Sequence, residues 1–216
     1  MIQATSEAPI CTQTGPGSDT FPEYGFGSRP GNEDCLFLNV FAPANANNLP
    51  VFVWIRKSKF SSDAIVPLIY TDGGGYNVFS MQGVDGTPLI SSSGNKFIVV
   101  AIQYRMGAFG FLAGEDVKRR GALNAGLLDM NFALQWVQKY IRKFGGDPSR
   151  VTIGGESAGA QAAIYQAMAY GGGGKSLFNN VWCLNPSFLQ VLITPLDHLP
   201  KPMEPSSIQL QRPSLH

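Results

Sequence analysis

The run Val151-Thr152-Ile153-Gly154-Gly155-Glu156-Ser157-Ala158-Gly159-Ala160 passes from β-branched residues, through glycine and serine, into an alanine-rich stretch. Its first three residues read as a short buried strand, and Ala158 to Tyr170 reads as a helix that Gly171-Gly172-Gly173-Gly174 brings to a stop. Between them Gly155-Glu156-Ser157-Ala158-Gly159 has the form G-x-S-x-G. A tight strand-to-helix turn needs small residues around its central serine, because larger ones would clash with neighbouring backbone. Such a turn exposes the Ser157 hydroxyl and aims the Ala158 amide, at the helix N-terminus, toward negative charge developing on a substrate. In a chain with 25 glycines the pattern alone is weak, and a glycine-rich turn with a helix-capping serine is the competing reading.

Working outward, the spacing upstream predicts a helix from Asn124, its N-cap, to Phe144. Leu127, Met130, Leu134, Val137 and Ile141 recur at alternating steps of three and four, which puts them on one face. Gly145-Gly146-Asp147-Pro148 ends it. Leu36 to Phe41, Val51 to Ile55 and Phe97 to Ile102 read as further strands, the last two continuously apolar as at the buried centre of a sheet. Strand, helix, strand, helix in that order predicts an α/β fold on a mostly parallel sheet. Residues 12–34 read as a loop, and after Asn180 the repeated Pro, Ser and Gln predict a poorly ordered tail.

The balance of 16 basic and 15 acidic side chains leaves no field to draw phosphate, so nucleic acid is not an expected partner. A hydrophobic share of 44% against 14% charged excludes a disordered chain. The apolar runs are strand-sized, well short of the roughly 18–20 residues of a spanning helix, so no integral membrane segment is expected. Met1 to Glu7 has neither a basic nor an apolar leader region, so no signal peptide is expected in the chain. Three cysteines allow one disulfide, and Cys11 and Cys35 flank the glycine- and proline-rich loop.

Two other motifs bear on chemistry. Gly73-Gly74-Gly75-Tyr76 offers backbone amides that can approach a carbonyl closely, or is simply a flexible turn. Gly174-Lys175-Ser176 fits the end of a relaxed phosphate-binding loop, but it follows a helix rather than a strand, which argues against nucleotide binding.

Glu33-Asp34-Cys35-Leu36-Phe37-Leu38-Asn39-Val40, the Gly73–Tyr76 run, Tyr104-Arg105 with Gly110-Phe111-Leu112, Asn124 to Asp129, Phe144 to Pro148 and Gly155 to Gly159 occur in the order and approximate spacing of type-B carboxylesterases. The chain resembles that family over roughly residues 9–178, and within it the secreted fungal lipases. The resemblance implies an α/β-hydrolase fold, truncated here, and hydrolysis of carboxylic esters, small or lipid, through a serine acyl-enzyme. It implies Ser157 as nucleophile, the amides of Gly74, Gly75 and Ala158 as oxyanion hole, a Cys11–Cys35 disulfide, secretion, and neither metal nor cofactor. Glu156 is structural in the resembling family.

Two departures shape the expectations. The family's triad acid and histidine follow far downstream of the serine, and the histidines here, His198 and His216, sit in no matching context. Activity of the chain as written is therefore expected to be impaired, the alternative being a non-catalytic binding module. Arg56 to Asp72 interrupts the family pattern between Ile55 and the glycines and reads as a retained intron. Excision from within codon 56 to within codon 72 joins Ile55 to a histidine and then Gly73-Gly74-Gly75-Tyr76. From codon 181 a shifted reading frame restores the family's Glu-Ser. The expected organisation is a partial hydrolase domain over residues 1–180, interrupted at 56–72, followed by a divergent tail over 181–216.

Overall fold

The computed structural model describes residues 8–13, 31–55, 74–77, 81, 84–172 and 177–186. A five-stranded sheet in the order β1-β3-β2-β4-β5 forms its frame. The strands are β1 (Leu38–Phe41), β2 (Leu49–Ile55), β3 (Ile98–Ile102), β4 (Gly146–Glu156) and β5 (Asn180–Leu184). β2, β3, β4 and β5 run parallel, while β1 pairs antiparallel with β3, Leu38 opposite Ile102. Among the described residues five α-helices accompany them: α1 (Thr87–Ser92), α2 (Gly107–Phe111), α3 (Glu115–Arg120), α4 (Ala125–Tyr140) and α5 (Ala158–Met168). The mostly parallel α/β architecture expected from the order of elements is the one found.

All five residues of β3 are buried, as are Val53, Trp54 and Ile55 of β2. Parallel strands covered on both faces need such unbroken apolar runs. The helical stripe Leu127, Met130, Leu134, Val137 and Ile141 is buried throughout, each side chain worth about 1.5–3 kcal/mol of transfer free energy. That stripe lays α4 on the sheet. From Ile141 to Phe144 the expected helix tightens into a 3-10 turn, and Gly145 leaves it with φ 80°.

Several boundaries differ from the sequence reading. Asn124 stands at the head of α4 with φ 55° and makes no side-chain cap bond. Leu36 and Phe37 precede β1 and are exposed, although the Phe37 carbonyl accepts a bond from the Gln103 amide at 3.0 Å. β4 is far longer than Val151–Ile153, because Leu49 pairs with Gly146 and Ile55 with Gly155 along the whole of β2. The boundary expected at residue 180 is crossed by β5, whose Val181 to Leu184 pair with Ile153 to Glu156. Backbone templating by β4 seats these residues although they carry no alternating pattern. The interruption at 56–72, most of the 12–34 loop, Gly174 to Ser176 and the tail from 187 onward lie outside the described residues.

Candidate active site

β4 delivers Glu156 to the sheet's end, and α5 starts at Ala158, leaving Ser157 alone to turn the chain. Its φ of 54° and ψ of −118° fall where an L-residue is strained, a cost of about 1–3 kcal/mol that surrounding contacts must hold. They do so from both sides. The Ser157 amide donates to the Leu184 carbonyl of β5 at 3.0 Å, and the Ser157 carbonyl accepts from the Gln161 amide at 3.0 Å. Gly155 has no room for more: a Cβ there would stand 2.4 Å from the Ile55 carbonyl oxygen and 2.5 Å from the Gly159 carbonyl carbon. Gly155 is thus required by packing, as the tight turn predicts.

Ser157 makes no side-chain bond to the first turn of α5, so the capping-serine alternative does not describe it. Ala158 is fully buried and opens α5, where the first amides of a helix have no partner inside it. The dipole of that end favours negative charge.

Gly74–Tyr76 forms a 3-10 turn that packs against α5. Asn77 fastens it, its amide donating to the Gly74 carbonyl at 2.8 Å and its Nδ2 to the Gly75 carbonyl at 3.1 Å. In a trans peptide the N–H opposes the C=O, so with the Gly74 carbonyl turned toward Asn77 the Gly75 amide faces away from it. Ser157, Ala158, Gly74 and Gly75 are therefore gathered at α5. Gly73 lies outside the described residues, as do His198 and His216.

Cys11 and Cys35 are disulfide-bonded with a sequence separation of 24. The bond fixes the N-terminal strap beside the end of β3, where Gln103 Nε2 donates to the Pro9 and Cys35 carbonyls at 2.8 and 3.0 Å. Cys11 and Cys35 also line a cavity of about 220 Å³ with Glu33, Arg105 and Phe109. Among the described residues no group of three His, Cys, Asp or Glu is arranged to hold a metal ion, and no helix is long and apolar enough to cross a membrane.

Three supports were not singled out as functional in the sequence. Asp129, buried at the start of α4, accepts from the Arg105 amide and Nε at 2.9 Å and from its Nη2 at 2.8 Å, which raises the Arg105 pKa. That clamp ties the end of β3 to α4, and its two residues stood in separate motifs with nothing to pair them. Asn77 stands two residues past Gly75, where a side-chain amide bonding back to that carbonyl is a recognisable turn signal. The Leu184 clasp on Ser157 left no signal, because it is made by main chain.

The sequence profile of the carboxylesterase family matches residues 1–182. A secreted triacylglycerol lipase of Gibberella zeae is 41% identical over 158 residues, covering 68% of this chain and 24% of the lipase. Lipase 2 of Geotrichum candidum is 35% identical over 209 residues, covering 83% of this chain and 34% of its own. The crystal structure of EstA from Aspergillus niger superposes with a TM-score of 0.66 at 40% identity, over 82% of this chain and 30% of that one. The chain thus spans between a quarter and a third of the length of these relatives, as the 24%, 30% and 34% shares state.

Proposed function

The chain belongs to the carboxylesterase family, and on that premise we propose that it carries the nucleophile and oxyanion hole of a serine carboxylic ester hydrolase. The observation that carries this reading is the strained turn at Ser157, which holds a hydroxyl out of its helix-capping role at the head of α5. Strain of that kind persists only where the surrounding structure over-determines it, and it clusters at active sites.

In this reading the Ser157 oxygen attacks the ester carbonyl carbon and its proton passes to a base. The carbonyl oxygen takes the electron pair and is stabilised by the amides of Gly74, Gly75 and Ala158, with the α5 dipole behind them. Collapse breaks the bond to the alkoxy oxygen, which leaves as the alcohol after taking that proton, and the acyl group stays on Ser157. Water then attacks the acyl-enzyme, releasing the acid and restoring the serine. The described residues contain no histidine. Removing a triad member from such a site leaves roughly 10³–10⁴-fold acceleration over water, from the oxyanion hole and binding.

The Cys11–Cys35 disulfide fits an oxidising, extracellular setting, and the Gibberella zeae relative is named a secreted triacylglycerol lipase. Esters of small alcohols or of lipids are the proposed substrates. The test is labelling of the whole chain by a fluorophosphonate, with the adduct located by mass spectrometry. A single adduct at Ser157, lost in Ser157→Ala, supports the reading. A folded chain whose Ser157 stays unlabelled rejects it and leaves the non-catalytic binding module.

A further inference from the structure

Gly74, Gly75 and Tyr76 stand consecutively in the left-handed region, at φ 68°, 52° and 65°. Glycine adopts that conformation freely, whereas a tyrosine there is strained and must be held by something else. Its ring is what holds it. Tyr76 is 4% exposed, its ring centroid 4.8 Å from Phe111 and 6.4 Å from Tyr104, and Tyr104 is itself wholly buried. Phe111 cannot retreat, because its ring occupies the space above Gly126 of α4, where a Cβ would meet Phe111 Cζ at 2.6 Å. A continuous line of contact therefore runs from α4 through Phe111 and Tyr76 to the glycine turn on α5.

The hydroxyl plays no visible part in this. Tyr76 Oη is buried without a hydrogen-bond partner among the described residues, an arrangement that costs stability and that an ordinary core position would avoid by using phenylalanine. Burial also raises its pKa far above the usual phenol value, with Tyr104 and Tyr165 adding to the shift, so the group stays neutral and cannot serve as a base.

We infer that Tyr76 is a positioning residue: its ring, wedged between Phe111 and Tyr104, pegs the Gly74–Gly75 turn so that the glycine amides face the oxygen that Ser157 chemistry makes negative. The inference rests on Ser157 being the nucleophile. It goes beyond that assignment in giving the Tyr76 ring a share, beside the two Asn77 hydrogen bonds, in ordering the oxyanion loop. Asn77 closes the turn by hydrogen bonds, and the Tyr76 ring anchors it against the aromatic contacts of Phe111 and Tyr104. Donors displaced by about 1 Å lose around a hundredfold in rate, so the peg acts on the reaction step more than on substrate capture.

The experiment compares the whole chain with Tyr76→Ala and Tyr76→Phe, following fluorophosphonate labelling of Ser157 at several reagent concentrations to separate the maximal rate from the half-saturating concentration. Tyr76→Ala is expected to lower the maximal rate at least about tenfold and leave half-saturation within about twofold. Tyr76→Phe is expected to restore it, since only the ring is used. Thermal melts normalise each rate to folded protein, and Tyr76→Leu serves in place of Tyr76→Ala if the latter does not fold. An unchanged rate per folded molecule in Tyr76→Ala, or failure of Tyr76→Phe to restore it, overturns the inference and leaves the nucleophile standing. An unlabelled folded wild-type chain overturns both.

Discussion

Ser157 holds its conformation against its own backbone preference, and the residues that enforce it are individually exposed to test. Gly155→Ala would drive a methyl to 2.4 Å from the Ile55 carbonyl, so we expect a loss of about 1–3 kcal/mol in chemical denaturation and the disappearance of Ser157 labelling. Ser157→Ala keeps the Cβ and therefore the backbone strain of the turn, and is expected to melt close to wild type while taking no label. Asp147 offers a pH test at the far end of β4. Bonds from the Ser149 side chain, the Arg150 guanidinium and the Ser149 amide hold its pKa at about 2, below the ordinary 3.8. A carboxylate lowered in the folded state stabilises it above the unfolded pKa and ceases to as pH falls through the folded one. The melting-temperature gap between wild type and Asp147→Asn should be full at neutral pH and close between about pH 4 and pH 2. Cys183 has its pKa raised by burial and its thiol 3.4 Å from the Ala160 carbonyl, so a disulfide-exchange reagent should modify it slowly in the native chain and promptly in denaturant.

Among the elements, the N-terminal strap is the one held by a covalent bond. Closing a loop with a sequence separation of 24 is worth about 3 kcal/mol, so Cys11→Ser with Cys35→Ser, or reduction, should lower the melting temperature by several degrees. Calorimetry with and without reductant reads it directly. The elements legible in the sequence were those whose burial imposes a period or an unbroken apolar run: β2, β3 and the stripe of α4, Leu127, Met130, Leu134 and Val137, continued by Ile141 in the 3-10 turn. The central serine turn was legible too, because steric need restricts its residue types. α1, α2 and α3 were not, being five or six residues long and too short to show a period. β5 was missed for another reason. Its Asn180-Val181-Trp182-Cys183-Leu184 carries its exposed residues at the start and its half-buried ones at the end, so position against β4, not alternation, places it. In the site, residue chemistry named Ser157 and the glycines, but the Arg105–Asp129 clamp and the Tyr76 contacts join segments that only the fold brings together.

For the whole molecule, the sheet is a scaffold on which one end of β4 and the head of α5 present the Ser157 turn. The segment from Arg56 to Asp72 separates β2 from the glycine turn in sequence. We expect the mature transcript to lack it, and amplifying cDNA beside genomic DNA across codons 56–72 decides this. A transcript identical to the gene there removes the intron proposal. The hydrogen bond from the Ser157 amide to the Leu184 carbonyl bears on how the molecule comes into being. A chain made from its N-terminus has β2, β3, α4 and β4 in hand well before residue 184 leaves the ribosome. Ser157 is synthesised early and fastened late. Until residue 184 follows, the Ser157 amide lacks the partner it has in the finished fold, so the order of synthesis places the closing of this turn after β4 is made.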